Sequence, residues 1–352
     1  MVRPPPQGKP PNRPERPMQA YAIHVLKRLG QFILVVYIGI TITFFITHLT
    51  PVDPVEHAVA QVSSFGFSSP ESIELLRTSL REMYGVGDDL GLQYLNFLKR
   101  VAVLDFGPSL SAFPTPVGVL IGRALPWTIG LLAISTLLSW FLGNLLGGLA
   151  GYYRKNRLLK AIGVIAMGMH PVPYYIVAFV LLIVFTFLLP ILPSGGGYEM
   201  NLTPGFTPRF IGSVFMHSIL PALSLILVGI GGWFMGMRAL VSNIVTDDYV
   251  VYAELAGVPR GRILASYVMR NAFMPQITGL AISIGSIFNG AIITEQVFGY
   301  PGIGRLLVDA VHAADYSLVL GIASISIISV SAAVFLIDII YPLIDPRVQV
   351  KA

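Results

Sequence analysis

The chain has 352 residues, 54% of them hydrophobic and only 12% charged, with a mean hydropathy of +0.73. Soluble domains carry about 25% charged residues, so this composition excludes an ordinary soluble domain and indicates a membrane protein. Cysteine is absent, which excludes disulfides, thiolate metal sites and thiol catalysis, and the formal net charge of +5 reads as loop topology rather than nucleic-acid binding.

Residues 1–17, MVRPPPQGKPPNRPERP, are proline-rich and basic with nothing to bury. A disordered cytoplasmic tail is expected over 1–20, ahead of a single membrane domain over 21–350. A first span is predicted from Leu29 to Leu49, long enough for a hydrocarbon core of roughly 30 Å. Ala58-Val59-Ala60 resembles a cleavage site, but the apolar run is longer than a signal-peptide core and Pro51, Asp53, Pro54 and Glu56 intervene, so an uncleaved anchor is expected. Residues 51–115 then read as a loop with two helices, one opening at Pro70-Glu71 and running through Tyr84, the other over Gly91–Val103 with Tyr94, Leu95, Leu98 and Val101 on one face. The loop holds four Lys/Arg against eight Asp/Glu, whereas the preceding segment holds Arg3, Lys9, Arg13, Arg16, Lys27 and Arg28 against Glu15. Positive-inside reasoning places the N-terminus in the cytoplasm and 51–115 outside.

Further spans are predicted over Val117–Gly151, Ala161–Leu189, Ile219–Leu240, Pro275–Ile293 and Leu318–Tyr341. The basic turn with Arg154, Lys155, Arg157 and Lys160 is cytoplasmic, Pro193 to Gly197 turns outside, and Asp345 and Arg347 end inside. Six spans with both termini in the cytoplasm satisfy every loop charge. Gly143, Gly147 and Gly151 repeat at four residues, a pattern best explained by close helix packing. In the fifth span Gly279, Ser283, Ser286 and Gly290 repeat at four, three and four. Packing explains these too, while Ser283, Ser286 and Asn289 are candidates to face a polar substrate. Arg238, Glu295 and Asp338 lie near span ends, and His170 has no second ligand at helical spacing, so it reads as a helix residue rather than a metal site.

The polar island at 247–275, DDYVVYAELAGVPRGRILASYVMRNAFMP, is the most informative stretch. Asp247 or Thr246 is suited to cap a short helix ending near Ala256, Gly257 falls where a left-handed cap belongs, and Pro259 suits the next first turn. An amphipathic interfacial helix resting on lipid headgroups would carry the same pattern, so on residues alone a docking platform and a surface helix stay open.

Asp248-Tyr249-Val250, Ala253, Gly257, Arg270-Asn271 and Pro275 resemble the "EAA loop" of binding-protein-dependent ABC importer permeases of the dipeptide, oligopeptide and nickel group. The resemblance continues through Thr294-Glu295-Gln296-Val297-Phe298-Gly299-Tyr300-Pro301-Gly302-Ile303-Gly304-Arg305, Asp315-Tyr316 and Asp345-Pro346-Arg347. Upstream, Pro51-Val52-Asp53-Pro54, Gln93-Tyr94 and Asp105-Phe106-Gly107-Pro108-Ser109 are similar to the first-subunit type, so the likeness covers about residues 20–350. Three features depart from it: Val251 stands where the family's loop has its acid, Glu254 is displaced from that position, and Tyr267 stands where many relatives have His.

The resemblance implies an all-α, six-helix type I permease fold with a cytoplasmic coupling loop, carrying ATPase contacts at Tyr249, Ala253, Glu254, Gly257, Arg260 and Arg270. It implies a second homologous permease, two ABC ATPases that bind ATP and Mg, and an extracytoplasmic solute-binding protein, all assembled at the cell inner membrane. This chain itself has no G-x-x-x-x-G-K-[ST] loop, so neither an enzyme nor a resident cofactor is expected. Di- or oligopeptides are the expected cargo, with oligosaccharides or, less readily, nickel as alternatives. A secondary transporter is disfavoured because no internal repeat and no acid at the centre of a span are found. A non-transporting anchor would not need the island.

Overall fold

The computed structural model describes residues 17–49, 53, 55, 56, 59, 60, 63, 69–84, 89–285 and 291–344. Asp345 and Arg347 lie outside the described residues, as do Ser286, Asn289 and Gly290. The described chain is helical without a named strand: α1 Pro17–His48, α2 Pro70–Tyr84, α3 Leu90–Ala102, α4 Val117–Tyr152, α5 Arg157–Met169 and α6 Tyr174–Leu182. A π-helical turn, Ile183–Leu188, extends α6. There follow α7 Pro208–Ile244, α8 Asp248–Leu255, α9 Arg260–Arg262, a π-helical segment Ile263–Met269, α10 Arg270–Gly285, α11 Ile292–Val297, α12 Ile303–His312 and α13 Tyr316–Ile344.

Four helices are long and apolar enough to cross a membrane, within α1, α4, α7 and α13, and the bent pair α5–α6 makes up to five. The third predicted span is therefore not one straight helix: its halves meet at 104°. Pro171 and Pro173 sit in the break, and each removes an amide donor that a continuous helix needs. The fourth span is longer than predicted. Thr207 accepts the Phe210 amide at 3.3 Å, Pro208 occupies the first turn, and Pro221 is accommodated within the helix. Helix α1 already begins at Pro17, inside the stretch assigned to the tail.

Helices α4 and α7 form the centre and share the most extensive helix contact among the described residues. Ser135, Ser139, Gly143, Gly147 and Gly151, each four residues from the next, are all buried on one face of α4. A Cβ on Gly143 would lie 2.5 Å from Trp233 Cβ, one on Gly151 would lie 2.9 Å from the Arg238 carbonyl, and one on Gly147 would run into the Phe234 carbonyl. The register rises along both helices, from Ser139 beside Gly229 through Gly143 beside Trp233 to Gly151 beside Val241, so the two run parallel with backbones nearly touching. Dispersion and the absence of side chains, rather than expulsion of water, hold such a pair together in lipid.

α1 packs along α13 in the opposite, antiparallel sense. Tyr21 donates to the Ile339 carbonyl at 3.2 Å, and Arg28 pairs with Asp338 at 3.1 Å. The loop of 51–115 contains both predicted helices. Arg77 of α2 pairs with Glu56 at 2.9 Å and with Glu74, and the hydrogen bond and charge of Glu56 raise its pKa above the ordinary guanidinium value. α3 lies against α1, where Tyr94 bonds Thr41 at 2.7 Å and Phe97 stacks on Phe44. Val101 and Phe106 then enter a core with Ile40, Val117 and Ile121. Buried Asp315 fixes the far side: its carboxylate accepts from the Ser109 hydroxyl, from the Ser111 amide and hydroxyl at 2.9 Å each, and from the Leu318 amide at 3.0 Å.

These contacts predict contrasting effects at two glycines of α4. Gly147→Leu should destabilise the chain by at least about 1–3 kcal/mol, because overpacking here meets backbone. A Cβ at Gly122 meets nothing within 4 Å, so Gly122→Ala should be neutral or stabilise by up to about 1 kcal/mol. Thermal unfolding of the detergent-purified chain should rank Gly122→Ala at or above wild type and Gly147→Leu well below. The reverse order would contradict the assigned packing.

Candidate functional site

The island folds as a helix, a left-handed turn and a second helical segment. α8 closes in a Schellman arrangement: Gly257 donates to Glu254 O at 3.0 Å and Val258 donates to Ala253 O at 3.1 Å. Gly257 has φ +76°, as its position in the sequence predicts. The expected side-chain cap is not formed, since Asp247 makes no capping bond and Thr246 instead donates to Asn243 O at 2.7 Å. After Pro259 the chain is helical without a break through the π-helical segment into α10. The island's second helix is thus the near end of the fifth predicted span, and that helix begins before Pro275.

One face of the island is core. Val250, Ala253, Ile263, Val268 and Ala272 are buried together with Met237 and Val241 of α7. Ala253, assigned to the docking surface, therefore faces inward. Tyr249, Glu254, Gly257, Arg260 and Arg270 are on the exposed side. Asn271 bridges the two segments, donating to Tyr249 Oη at 2.9 Å and to Tyr267 O at 2.8 Å. The basic turn after α4 joins the same end, with Arg154 donating to Ser242 O at 2.6 Å and Tyr152 to Arg260 O at 3.4 Å. Both loops given to the cytoplasm by charge therefore lie at one end of the α4–α7 pair.

Two residues not singled out by sequence dominate the outward face. Tyr252 is 71% exposed and Leu255 is 79% exposed, with exposed Val251 beside them where the family's loop carries its acid. In the run Val250-Val251-Tyr252-Ala253 periodicity cannot tell which apolar residue faces out, because only the packing of α8 on α7 decides it. Large apolar and aromatic side chains held out on a short rigid helix, rimmed by Glu254 and arginines, have the composition of a protein contact surface.

A second feature lies between α4, α6, α7 and α10. Here a cavity of about 290 Å³ is lined by hydroxyls of Ser135, Thr136, Ser139 and Ser283 and by Tyr174 and Trp233. Ser283, a predicted pathway residue, lines it; Ser286 and Asn289 fall outside the described residues. Beyond the cavity Glu295 is fully buried. It accepts from Thr128 Oγ1 at 2.7 Å, from the Gly304 amide at 2.7 Å and from the Arg305 amide at 3.2 Å. Thr128 in turn accepts the Ile303 amide at 2.8 Å. Glu295 thereby closes the start of α12 and fastens it to α4. This explains the spacing of Gly302 and Gly304, where any Cβ would meet the carboxylate.

Comparison with known proteins agrees with this geometry. Residues 143–350 match the family model described as the binding-protein-dependent transport system inner membrane component. The chain is 28% identical to the oligopeptide transport system permease protein AppB of Bacillus subtilis over 93% of this chain and 99% of that protein. It is 29% identical to the probable D,D-dipeptide transport system permease protein DdpB of Escherichia coli over 92% of this chain and 96% of that protein. It is 30% identical to a putative peptide permease protein of Brucella suis over 95% of this chain and 100% of that protein.

The island yields a conformational prediction. A β-branched residue at Gly257 pays the left-handed penalty of about 1–2 kcal/mol, while nothing lies within 4 Å to clash with it. Asn tolerates this conformation. On the expectation that the island docks an ATPase, Gly257→Val should therefore reduce co-purification of that partner and transport together at normal membrane abundance, and Gly257→Asn should retain both. Equal behaviour of the two variants would remove backbone conformation as the cause.

Proposed function

The chain belongs to the binding-protein-dependent transport system inner membrane components, the permeases of ABC importers, and on that premise we propose that it passes di- or oligopeptides across the cell membrane. The permease role follows from the family. The cargo is supported by the relatives of similar length, whose names are those of peptide, oligopeptide and dipeptide permeases. The observation that carries the coupling part of the reading is the island itself. The outward apolar face of α8 is fastened through a buried core to α7, and after the Gly257 turn the island's second segment is helical from Arg260 into α10.

In this reading the island docks in a groove of an ABC ATPase, with Tyr249, Tyr252, Glu254 and Leu255 at the contact and Arg260, Arg262 and Arg270 at its rim. Ala253 and Gly257 act differently: one packs the helix onto α7 and the other sets its turn. ATP and Mg are bound by two such partner ATPases, and this chain contributes no hydrolytic group. A second permease completes the pathway, and an extracytoplasmic binding protein delivers the peptide to the face built by 51–115. The membrane domain has six spans, the fifth being α10 together with residues that follow it to about Ile293. Both termini and 241–274 are cytoplasmic.

Reconstitution tests the function. Vesicles holding this chain, its partner permease and ATPases should accumulate labelled dipeptide or tripeptide only with ATP and loaded binding protein. Accumulation of an oligosaccharide with none of the peptides would overturn the cargo.

Topology is tested separately in this cysteine-free chain, at two exposed positions. Ser79→Cys should label with an impermeant thiol reagent from outside and Ser266→Cys only after the membrane is opened. Labelling of both from outside would overturn the orientation.

A further inference from the structure

The hydroxyl-lined cavity is unusual in what it lacks and in what it leaves unpaired. None of its lining residues is acidic, basic or histidine. Ser135 is only 2% exposed, and its hydroxyl has no hydrogen-bond partner among the described residues. Ser139, one turn on, donates back to the Ser135 carbonyl at 2.7 Å, which leaves its oxygen lone pairs free of any bond that the helix needs. Opposite them Gly229 offers no side chain, and a Cβ there would lie 2.7 Å from the Ser139 oxygen. The small-residue face of α4 thus changes character along its length. Glycines lie against α7 at one end, and serines line the cavity at the other.

A buried hydroxyl without a partner costs free energy and persists where something else supplies the bond. We propose that this cavity is a transit site for the main chain of a peptide, in which Ser135 and Ser139 hydrogen-bond amide groups while Trp233 and Tyr174 contact apolar side chains. The proposal rests on the peptide-import reading above. Its logic is chemical. A site with hydroxyls, which both donate and accept, matches the alternating N–H and C=O of a peptide and takes no account of side-chain charge. An ionised lining group would favour peptides of opposite charge and hold them too tightly to release. At about 290 Å³ the space falls just below the roughly 300–1,000 Å³ of ligand sites, so it grips a short segment of chain at a time.

Ser135→Ala separates this role from a structural one. Removing a buried unpaired hydroxyl should leave the thermal midpoint of the complete transporter unchanged or raised. In vesicles with loaded binding protein, peptide moved per ATP hydrolysed should fall about three- to tenfold, the loss expected for one hydrogen bond. The fall should be the same for Ala-Ala-Ala, Ala-Lys-Ala and Ala-Glu-Ala. Unchanged transport of all three by Ser135→Ala would overturn the site and leave the peptide-import reading standing. A loss confined to the lysine or the glutamate peptide would overturn main-chain recognition. If the wild-type transporter moved none of the three while moving a maltooligosaccharide, the peptide reading itself would fall, and this proposal with it.

Discussion

Everything in this molecule is positioned by the contact of α4 with α7. In a membrane there is little water to drive helices together, so a stable pair needs either polar bonds or very close approach of backbones. This chain uses approach. Gly143, Gly147 and Gly151 give up side chains so that Trp233, Phe234 and Arg238 can lie directly against the α4 backbone. Glycine carries a helix-propensity cost of roughly 1 kcal/mol per residue, offset here by dispersion contacts that a Cβ would prevent. The pair so formed is closely packed and parallel, finished at one end by specific polar bonds and at the other by apolar packing.

At one end Glu295 collects Thr128 and the amides that open α12, and Asp315 collects Ser109, Ser111 and Leu318. Each buried carboxylate has its oxygens satisfied, the condition under which such a group fixes a structure rather than weakening it. At the other end the bonding is apolar. Val241, Met237, Val250, Ala253 and Ile263 bury one another, so α8 is seated on α7 without any ion pair among the described residues holding it there. A displacement of α8 is then delivered through packed side chains both to α7 and to the helical segment at Ile263–Met269, which continues into α10. The cavity lies between these two ends, lined by residues of the same helices.

Much of this was legible in the residues, for reasons that can be stated. The spacing of Gly143, Gly147 and Gly151 announces close packing because it repeats with the helix surface. Gly257 announces a left-handed cap because a helix must end there and few residues enter that conformation at little cost. Positions that depend on tertiary neighbours were not legible. Ala253 reads as part of a docking motif yet faces the core, because the orientation of α8 is set by α7. Tyr252 and Leu255 read as ordinary apolar residues and turn out to be the most outward of their helix. The bend between α5 and α6 was hidden by an unbroken run of hydropathy, although Pro171 and Pro173 mark it. Asp247 has the chemistry of a cap and does not use it. Ser135 and Ser139 were invisible as a site, since two serines on an apolar helix acquire meaning only beside Gly229 and Trp233.

The central claim is that the island and the near ends of α7 and α10 move as one body. Spin labels at exposed Asn243 and Arg262 in the complete transporter, together with a second pair linking Arg262 to the matching island of the proposed second permease, measure this directly. Between nucleotide-free and ATP-trapped states the Asn243–Arg262 distance should stay the same while the distance between islands changes by several ångströms. A changed distance within the island, with the distance between islands unaltered, would show that the island flexes on its own and would contradict the account.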